Sequence, residues 1–238
     1  MTLKNQTVLV LGGSSGIGLA VAQGAQQLGA RVIIGGRNEQ TLAIAAATSP
    51  GLETTAIDIS DEAALAALFE RIAALDHLVV TAGAVIGPTP ARSLDLGLTQ
   101  EAILSKLIGS LLAVKHAAPR LRAGGSIGLT SGVLARKPTA DTVVKTVINA
   151  ALEAATRQLA KELAPLRVYA VSPGPVNTSS WRLLDEASRQ SVFEKYRTSL
   201  PVGFAASAAD TAAAYLFAMQ ARALTGAVID LDSGALIA

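Results

Sequence analysis

The chain has 238 residues, half of them hydrophobic but only 3% aromatic, with 20 Lys and Arg against 18 Asp and Glu. That length fits one α/β domain of ordinary size, with a core built from Ala, Val, Leu and Ile. The formal charge of +2 comes with no basic tract, which argues against nucleic acid as a partner, and the lack of cysteine excludes a disulfide framework, a zinc finger and a thiol nucleophile.

In chain order, a short polar stretch that does not read as a signal peptide leads to a buried strand, Thr7–Leu11 (TVLVL). A glycine-rich turn follows, then a helix over 17–28 and a second strand over 31–34. Asn38 is a helix N-cap, and a third strand covers 54–57. Ser60 is read as the cap of the next helix, with Asp61 and Glu62 in its first turn, where the dipole favours acids. The fourth strand is 77–80, and Thr99 opens a long helix to about residue 121. A fifth strand covers 126–130, a long helix 141–163 and a sixth strand 167–171. Loop and short helices fill 172–205, a helix runs over 208–219, and a last strand covers 227–231. The two histidines, His77 and His116, are far apart and read as structural, not as metal ligands. Gly, Lys or Arg interrupts the apolar runs before they reach bilayer length, so no membrane helix is expected and the cytosol is the expected location. Strands alternating with helices of ten or more residues imply right-handed βαβ crossovers. The expected architecture is a Rossmann-type, doubly wound α/β fold with a mostly seven-stranded parallel sheet and helices on both faces. One domain spans residues 1–238, with a substrate lid at about 179–205.

The glycine-rich turn reads Gly12-Gly13-Ser14-Ser15-Gly16-Ile17-Gly18, between the first strand and the first helix. Glycines there let the backbone approach a pyrophosphate, and N–H groups at the helix N-terminus face its charge. The second strand ends Gly35-Gly36-Arg37-Asn38, with Gly36 where an acid would bond a ribose 2′-OH and repel a 2′-phosphate. Arg37 offers a planar, permanently charged fork suited to phosphate, and Ser14 a hydroxyl. The expected cofactor is NADP(H).

The spacing Gly-x-x-x-Gly-x-Gly resembles that of the short-chain dehydrogenase/reductase family, and further marks follow over nearly the whole chain. Asp58, with Ile59 beside it, matches the acid that contacts the adenine amino group. Thr81-Ala82-Gly83 matches an Asn-Ala-Gly turn, with Thr for Asn. The run Ser172-Pro173-Gly174-Pro175-Val176-Asn177-Thr178 matches the loop that holds the nicotinamide carboxamide. Thr225-Gly226 followed by Asp232 matches the C-terminal strand region. The resemblance implies cofactor contacts from Gly12, Ser14, Ser15, Gly16, Ile17, Gly18, Arg37, Asn38, Asp58, Ile59, Thr81, Ala82, Gly83, Lys145, Pro173, Gly174, Val176 and Thr178.

The same resemblance implies a catalytic Ser that orients the carbonyl, a Tyr-x-x-x-Lys in which Tyr donates the proton and Lys binds the ribose, and an Asn on the preceding long helix. Ser131 matches the Ser and Lys145 the Lys. Asp141 stands four residues before Lys145, where the tyrosine would be, and Lys106 stands at the Asn position. None of the three tyrosines, Tyr169, Tyr196 and Tyr215, falls within the motif. Asp141 and Lys145, as i and i+4 on one helix, are expected to pair, which keeps the carboxyl ionised, a poor proton donor with a structural role.

Trp181, Leu183, Leu184, Val192 and Phe193 make the lid partly apolar. Ile103, Leu104, Leu107, Ile108, Leu111 and Leu112 on one long helix, and Val143, Val144, Val147, Ile148 and Ala151 on the other, give each a second apolar surface. A homodimer or homotetramer is expected, acting on a small-molecule substrate. Three functions fit these residues. The first is an NADPH-dependent oxidoreductase with altered acid chemistry. The others are a catalytically silent NADP(H)-binding regulatory or scaffold protein, and non-redox chemistry on the same fold.

Overall fold

A computed structural model of the chain describes residues 2–178 and 185–238. Seven parallel strands form one sheet in the order β3-β2-β1-β4-β5-β6-β9, where β1 is Thr7–Leu11, β2 Arg31–Gly36, β3 Glu53–Ala56, β4 Leu75–Val80, β5 Leu121–Thr130, β6 Arg167–Pro173 and β9 Ala227–Leu231. Side chains alternate across it. Leu9 and Leu11, Leu78 and Val80, and Val168 and Ala170 join a core under α3 (Glu62–Arg71), α5 (Gly109–Ala117) and α6 (Val143–Glu162). Val8 and Val10, Val79, Tyr169 and Val171 join the opposite core under α1 (Gly16–Gln27), α2 (Glu39–Thr48) and α8 (Ala208–Gln220). This is the expected seven-stranded, doubly wound sheet. Few aromatic residues are needed because small ones close the gaps. A Cβ on Gly128 would stand 2.8 Å from the Tyr169 ring carbon Cζ.

Local chemistry moves several helix starts from where the sequence suggested. Asp61, not Ser60, caps α3, its carboxylate accepting the Ala64 N–H at 3.0 Å. The long fourth helix begins three residues before Thr99, at Leu96, because Asp95 accepts the Leu98 N–H at 2.8 Å. It runs as α4 (Leu96–Ala102), a π-helical segment, Ile103–Ile108, and α5. α6 begins at Val143; Asp141 lies before it with a left-handed φ of 58°. Asn38 does cap α2, accepting the Thr41 N–H at 2.9 Å. The segment 172–205 holds a two-stranded pairing of β7 (Val176–Asn177) with β8 (Ala206–Ser207), and a 14-residue helix, α7 (Glu186–Ser199). Val192 and Phe193 lie on α7; Trp181, Leu183 and Leu184 lie outside the described residues. Leu96–Arg120 is long and apolar enough by composition to cross a bilayer. Ala102, Ala113, Val114 and Ala117 are buried against the sheet, whereas Leu96, Leu98, Leu104 and Ile108 are exposed.

His77 is buried in β4, its Nδ1 2.8 Å from Ser126 Oγ and its Nε2 3.0 Å from Gln6 Oε1. Burial, aided by the nearby charge of Arg167, pushes its pKa down to about 4. Below pH 6.5 the unfolded chain takes up a proton that the folded chain refuses until about pH 4, so stability present above pH 6.5 is lost as pH falls through that window. The loss expected from this one group is roughly 3 kcal/mol. Urea unfolding at pH 7 and pH 4 should show it in the wild type and show a smaller fall in His77→Gln; parallel pH profiles would contradict it.

Candidate active site

The glycine-rich turn lies where the strand order reverses, between β1 and β4, at the carboxyl ends of the strands. Gly12 and Gly16 adopt φ of 89° and 54°. A Cβ on Gly12 would sit 2.5 Å from the Ala82 nitrogen, and one on Gly18 would sit 2.2 Å from the Gly12 oxygen. Thr81 donates its hydroxyl to the Leu11 and Gly12 carbonyls, both at 3.2 Å, which fixes the turn against the end of β4. No side chain caps the start of α1, so its first N–H groups are left to the turn.

A cleft of about 500 Å³ opens above this turn. Of the residues expected at the cofactor, Gly12, Ser14, Ser15, Gly16, Ile17, Gly18, Arg37, Asp58, Ile59, Thr81, Ala82, Gly83 and Thr178 line it. Arg37, just past the end of β2, is exposed and, among the described residues, has no carboxylate partner, whereas Arg31 at the start of β2 is bound to Glu53 at 2.6 Å. Asp58 spends one oxygen on the Ser60 N–H, at 2.9 Å, and keeps the other. The uncapped helix start, the Cβ-free cradle and the guanidinium fit the phosphates of a dinucleotide. Asn38, Lys145, Pro173, Gly174 and Val176 do not line this cleft. Asn38 is spent on its cap. Gly174 packs on the backbone of Asp232, 2.7 Å from where its Cβ would be, and Val176 belongs to the β7·β8 pairing.

The expected pairing of Asp141 with Lys145 is not formed. Asp141 is off the helix, its backbone oxygen accepts the Thr89 N–H at 2.7 Å, and its carboxylate has no hydrogen-bond or ion-pair partner among the described residues. The four-residue spacing therefore does not put the two on one helix face. Lys106, in the π-helical segment, instead turns inward. Its stem lies against Gly83, about 3.0 Å from a Cβ there, and its Nζ donates to Asn149 Oδ1 at 2.9 Å. Burial, together with the charge of Lys145, pushes its pKa down to about 8. Lys145 is held below the usual lysine range by burial.

Ser131 is buried at the end of β5. Its hydroxyl proton points to Glu153 Oε1 at 3.0 Å and the Asn149 carbonyl at 3.2 Å. Arg136 Nε stands 3.2 Å from the other Glu153 oxygen, and its guanidinium also binds Asp230 and donates to Ser172 Oγ at 3.1 Å. Asn149, Glu153 and Arg136 were not singled out from the sequence. The signal was there for two of them: Asn149 and Glu153 follow directly on the buried Ile148 and Leu152, inside the apolar stripe of α6. Tyr169 and Tyr215 are fully buried, the latter 2.7 Å from Thr130 Oγ1, and burial raises both phenols above their usual range.

Residues 12–235 match the family model for enoyl-(acyl carrier protein) reductase. A short-chain dehydrogenase/reductase of Stachybotrys chlorohalonatus, ATR9, is 35% identical, with 99% of each chain covered. The crystal structure of a small-chain dehydrogenase in complex with NADPH is 40% identical, with a TM-score of 0.86 over 98% of this chain and 99% of that one. The reductase/Diels–Alderase MalC of Malbranchea aurantiaca is 30% identical, with a TM-score of 0.92 over 99% and 98%.

Gly18→Ala is expected to displace the turn and destabilise the protein by about 1–3 kcal/mol, the usual range for overpacking, read from urea denaturation. Wild-type stability together with intact dinucleotide binding in that variant would show that the turn has room to give.

Proposed function

The chain belongs to the short-chain dehydrogenase/reductase family, and on that premise we propose that it is an NADP(H)-dependent oxidoreductase acting on a small carbonyl or alcohol substrate. The end of β2 carries the reading. No acid stands at Gly36 to repel a 2′-phosphate, and the uncompensated Arg37 guanidinium lines the cleft beside Ser14. A relative of 40% identity bound to NADPH supports the same choice. Bound there, the cofactor supplies hydride. The glycine turn and the α1 N-terminus would hold its pyrophosphate, Arg37 and Ser14 its 2′-phosphate, and Asp58 its adenine. Ser131, Lys145 and Lys106 are the polar groups of this chain on the catalytic side. A second reading, NADP(H) binding without carbonyl chemistry, is favoured by one observation: Asp141, not a tyrosine, stands four residues before Lys145.

Calorimetric titration of NADPH and NADH tests the cofactor. NADPH should bind more tightly, and Arg37→Ala should weaken it by about 10- to 150-fold, the equivalent of 1.5–3 kcal/mol, with little effect on NADH. Equal or tighter binding of NADH would overturn the choice. NADPH consumption over a panel of aldehydes and ketones separates the two readings.

We propose further that the chain forms a homodimer or homotetramer. Leu104 and Ile108 on the fourth helix and Val143 and Val147 on α6 are exposed, which leaves an apolar face across two neighbouring helices. Light scattering should give a mass at least twice that of the chain, and Ile108→Glu with Val147→Glu should reduce it. A wild-type monomer at micromolar concentration would overturn the assignment.

A further inference from the structure

A second cavity, of about 330 Å³, lies outside the dinucleotide cleft, between the loop after β4, the loop that joins β5 to α6, and the first turn of α6. Its apolar wall includes Leu134, Ala135, Pro138 and Val143, and its polar lining is four threonines, Arg136 and Asp141. Both loops also reach the dinucleotide cleft. Val85 lines the cleft and Thr89 the cavity; Thr130 lines the cleft and Leu134 the cavity. Four residues of chain span at most about 14 Å, so the two spaces lie beside each other, with Ser131 on the segment between them.

The side chains of this cavity have few protons left to give a guest. Thr139 donates to the Lys137 carbonyl at 3.4 Å, Thr142 to the Thr139 carbonyl at 2.8 Å, and Thr89 to the Asp141 carbonyl at 3.5 Å. With its own proton so placed, Thr142 Oγ1 accepts from Thr146, 3.4 Å away. Arg136 donates to Asp230 Oδ2 at 2.9 Å and to Ser172 Oγ at 3.1 Å, and its Nε stands 3.2 Å from Glu153 Oε2. One guanidinium charge thus faces two carboxylates. Asp141 is the exception. Its backbone oxygen accepts the Thr89 N–H at 2.7 Å, but its carboxylate has no hydrogen-bond or ion-pair partner among the described residues. An unspent anion in a cavity whose side-chain donors are spent disfavours an anionic guest and favours a cationic one. The apolar wall suits a hydrocarbon body behind the charge.

We propose that this cavity takes the substrate, and that it selects a carbonyl compound, or the matching alcohol, that carries an ammonium group on a small apolar body, with the Asp141 carboxylate as counter-ion. The inference rests on the oxidoreductase reading above and names the substrate class of that site. Asp141 is then a specificity-determining residue. It holds the charged end of the substrate, and the carbonyl at the other end is free to reach the neighbouring dinucleotide cleft. No proton transfer is asked of it. A carboxylate where the family pattern has a phenol thus changes what the chain recognises. At the lower end of the roughly 300–1,000 Å³ usual for small-molecule sites, the cavity admits a small guest only.

Two measurements on the full chain test this. The first needs no turnover: binding of benzylamine, benzyl alcohol and benzoate, which are close in size and differ in charge, followed by ligand-detected NMR with and without NADPH. Benzylamine should bind about three- to fivefold more tightly than the alcohol, as befits a solvent-accessible ion pair, and benzoate most weakly. Molar salt should remove the preference. Asp141→Asn and Asp141→Gly both accept the left-handed backbone and should abolish it without loss of NADPH affinity or of stability in urea. Equal binding of amine and alcohol, or a preference that survives both variants, overturns the inference and leaves the cofactor reading standing. The second is kcat/KM for benzaldehydes that carry a para trimethylammoniomethyl, hydroxymethyl or carboxylate group. The cationic aldehyde should lead by a similar factor, and Asp141→Asn should bring it level with the neutral one through KM. A wild-type preference for the neutral or anionic aldehyde, or a cationic preference unmoved in Asp141→Asn, overturns the inference. Failure of the wild type to bind NADPH, or to consume it with any carbonyl, overturns the underlying reading, and the inference with it.

Discussion

Backbone touches backbone where the first turn of the sheet meets the end of β4, and the rest of the site depends on it. The Gly18 position comes so near the Gly12 carbonyl, and Gly12 so near the Ala82 amide, that no side chain fits at either. That closeness brings the start of α1 down onto the strand ends and leaves its N–H groups facing the cleft. Thr81 fastens the contact by giving its one hydroxyl proton to two carbonyls of the turn. Packing density and phosphate chemistry therefore make the same demand of the same residues. The strand order reverses at this point, so the cleft lies between helices that diverge to opposite faces of the sheet.

A second constraint acts along α6. A helix packed on a sheet normally turns an apolar stripe inward, and Val144, Ile148 and Leu152 do so. One residue further on, Lys145, Asn149 and Glu153 place a polar row beside that stripe. Buried polar groups must be satisfied, and the satisfaction here is uneven. Glu153 ties Ser131, at the end of β5, to Arg136, and Arg136 reaches on to Ser172 in β6 and Asp230 in β9. That half of the row is a closed network that fixes three strand ends. The other half holds two lysines and one amide. A carboxylate shared between the halves would have neutralised the lysines, but Arg136 already claims it. The stability of one half thus sets the electrostatics of the other.

Much of this was legible in the sequence. Strand and helix alternation gave the seven parallel strands, because period-2 and period-3.6 patterns survive in a chain with few aromatics. The cradle of the cofactor was legible because glycine, where a Cβ cannot fit, leaves no alternative residue. Helix starts were less visible. Asp61 and Asp95 capture their helices through side-chain bonds that compete with neighbouring Ser60 and Thr99, and nothing in composition ranks one cap above the other. Glu153 escaped notice because a lone acid in an amphipathic helix reads as a solvated face unless its angle about the axis is followed residue by residue.

The catalytic positions show most sharply what a spacing can and cannot say. A four-residue interval returns to nearly the same helix face, so a motif slid by one turn still satisfies it. Asp141-x-x-x-Lys145 and Lys145-x-x-x-Asn149 both have the interval that separates the tyrosine and lysine in the family pattern. Only the place where the helix begins chooses between them. Asp141 takes a left-handed backbone, two residues outside α6, so the first interval does not lie on the helix at all. Lys145 and Asn149 both lie on it, and Asn149 meets Lys106 across the gap. The family pattern has asparagine on the earlier helix and lysine on the later one. Here the later helix keeps its lysine, Lys145, and the earlier one carries Lys106 at the asparagine position, which meets Asn149 one turn beyond Lys145. A position-by-position reading records the missing asparagine, and only the bond shows where an amide meets the earlier helix.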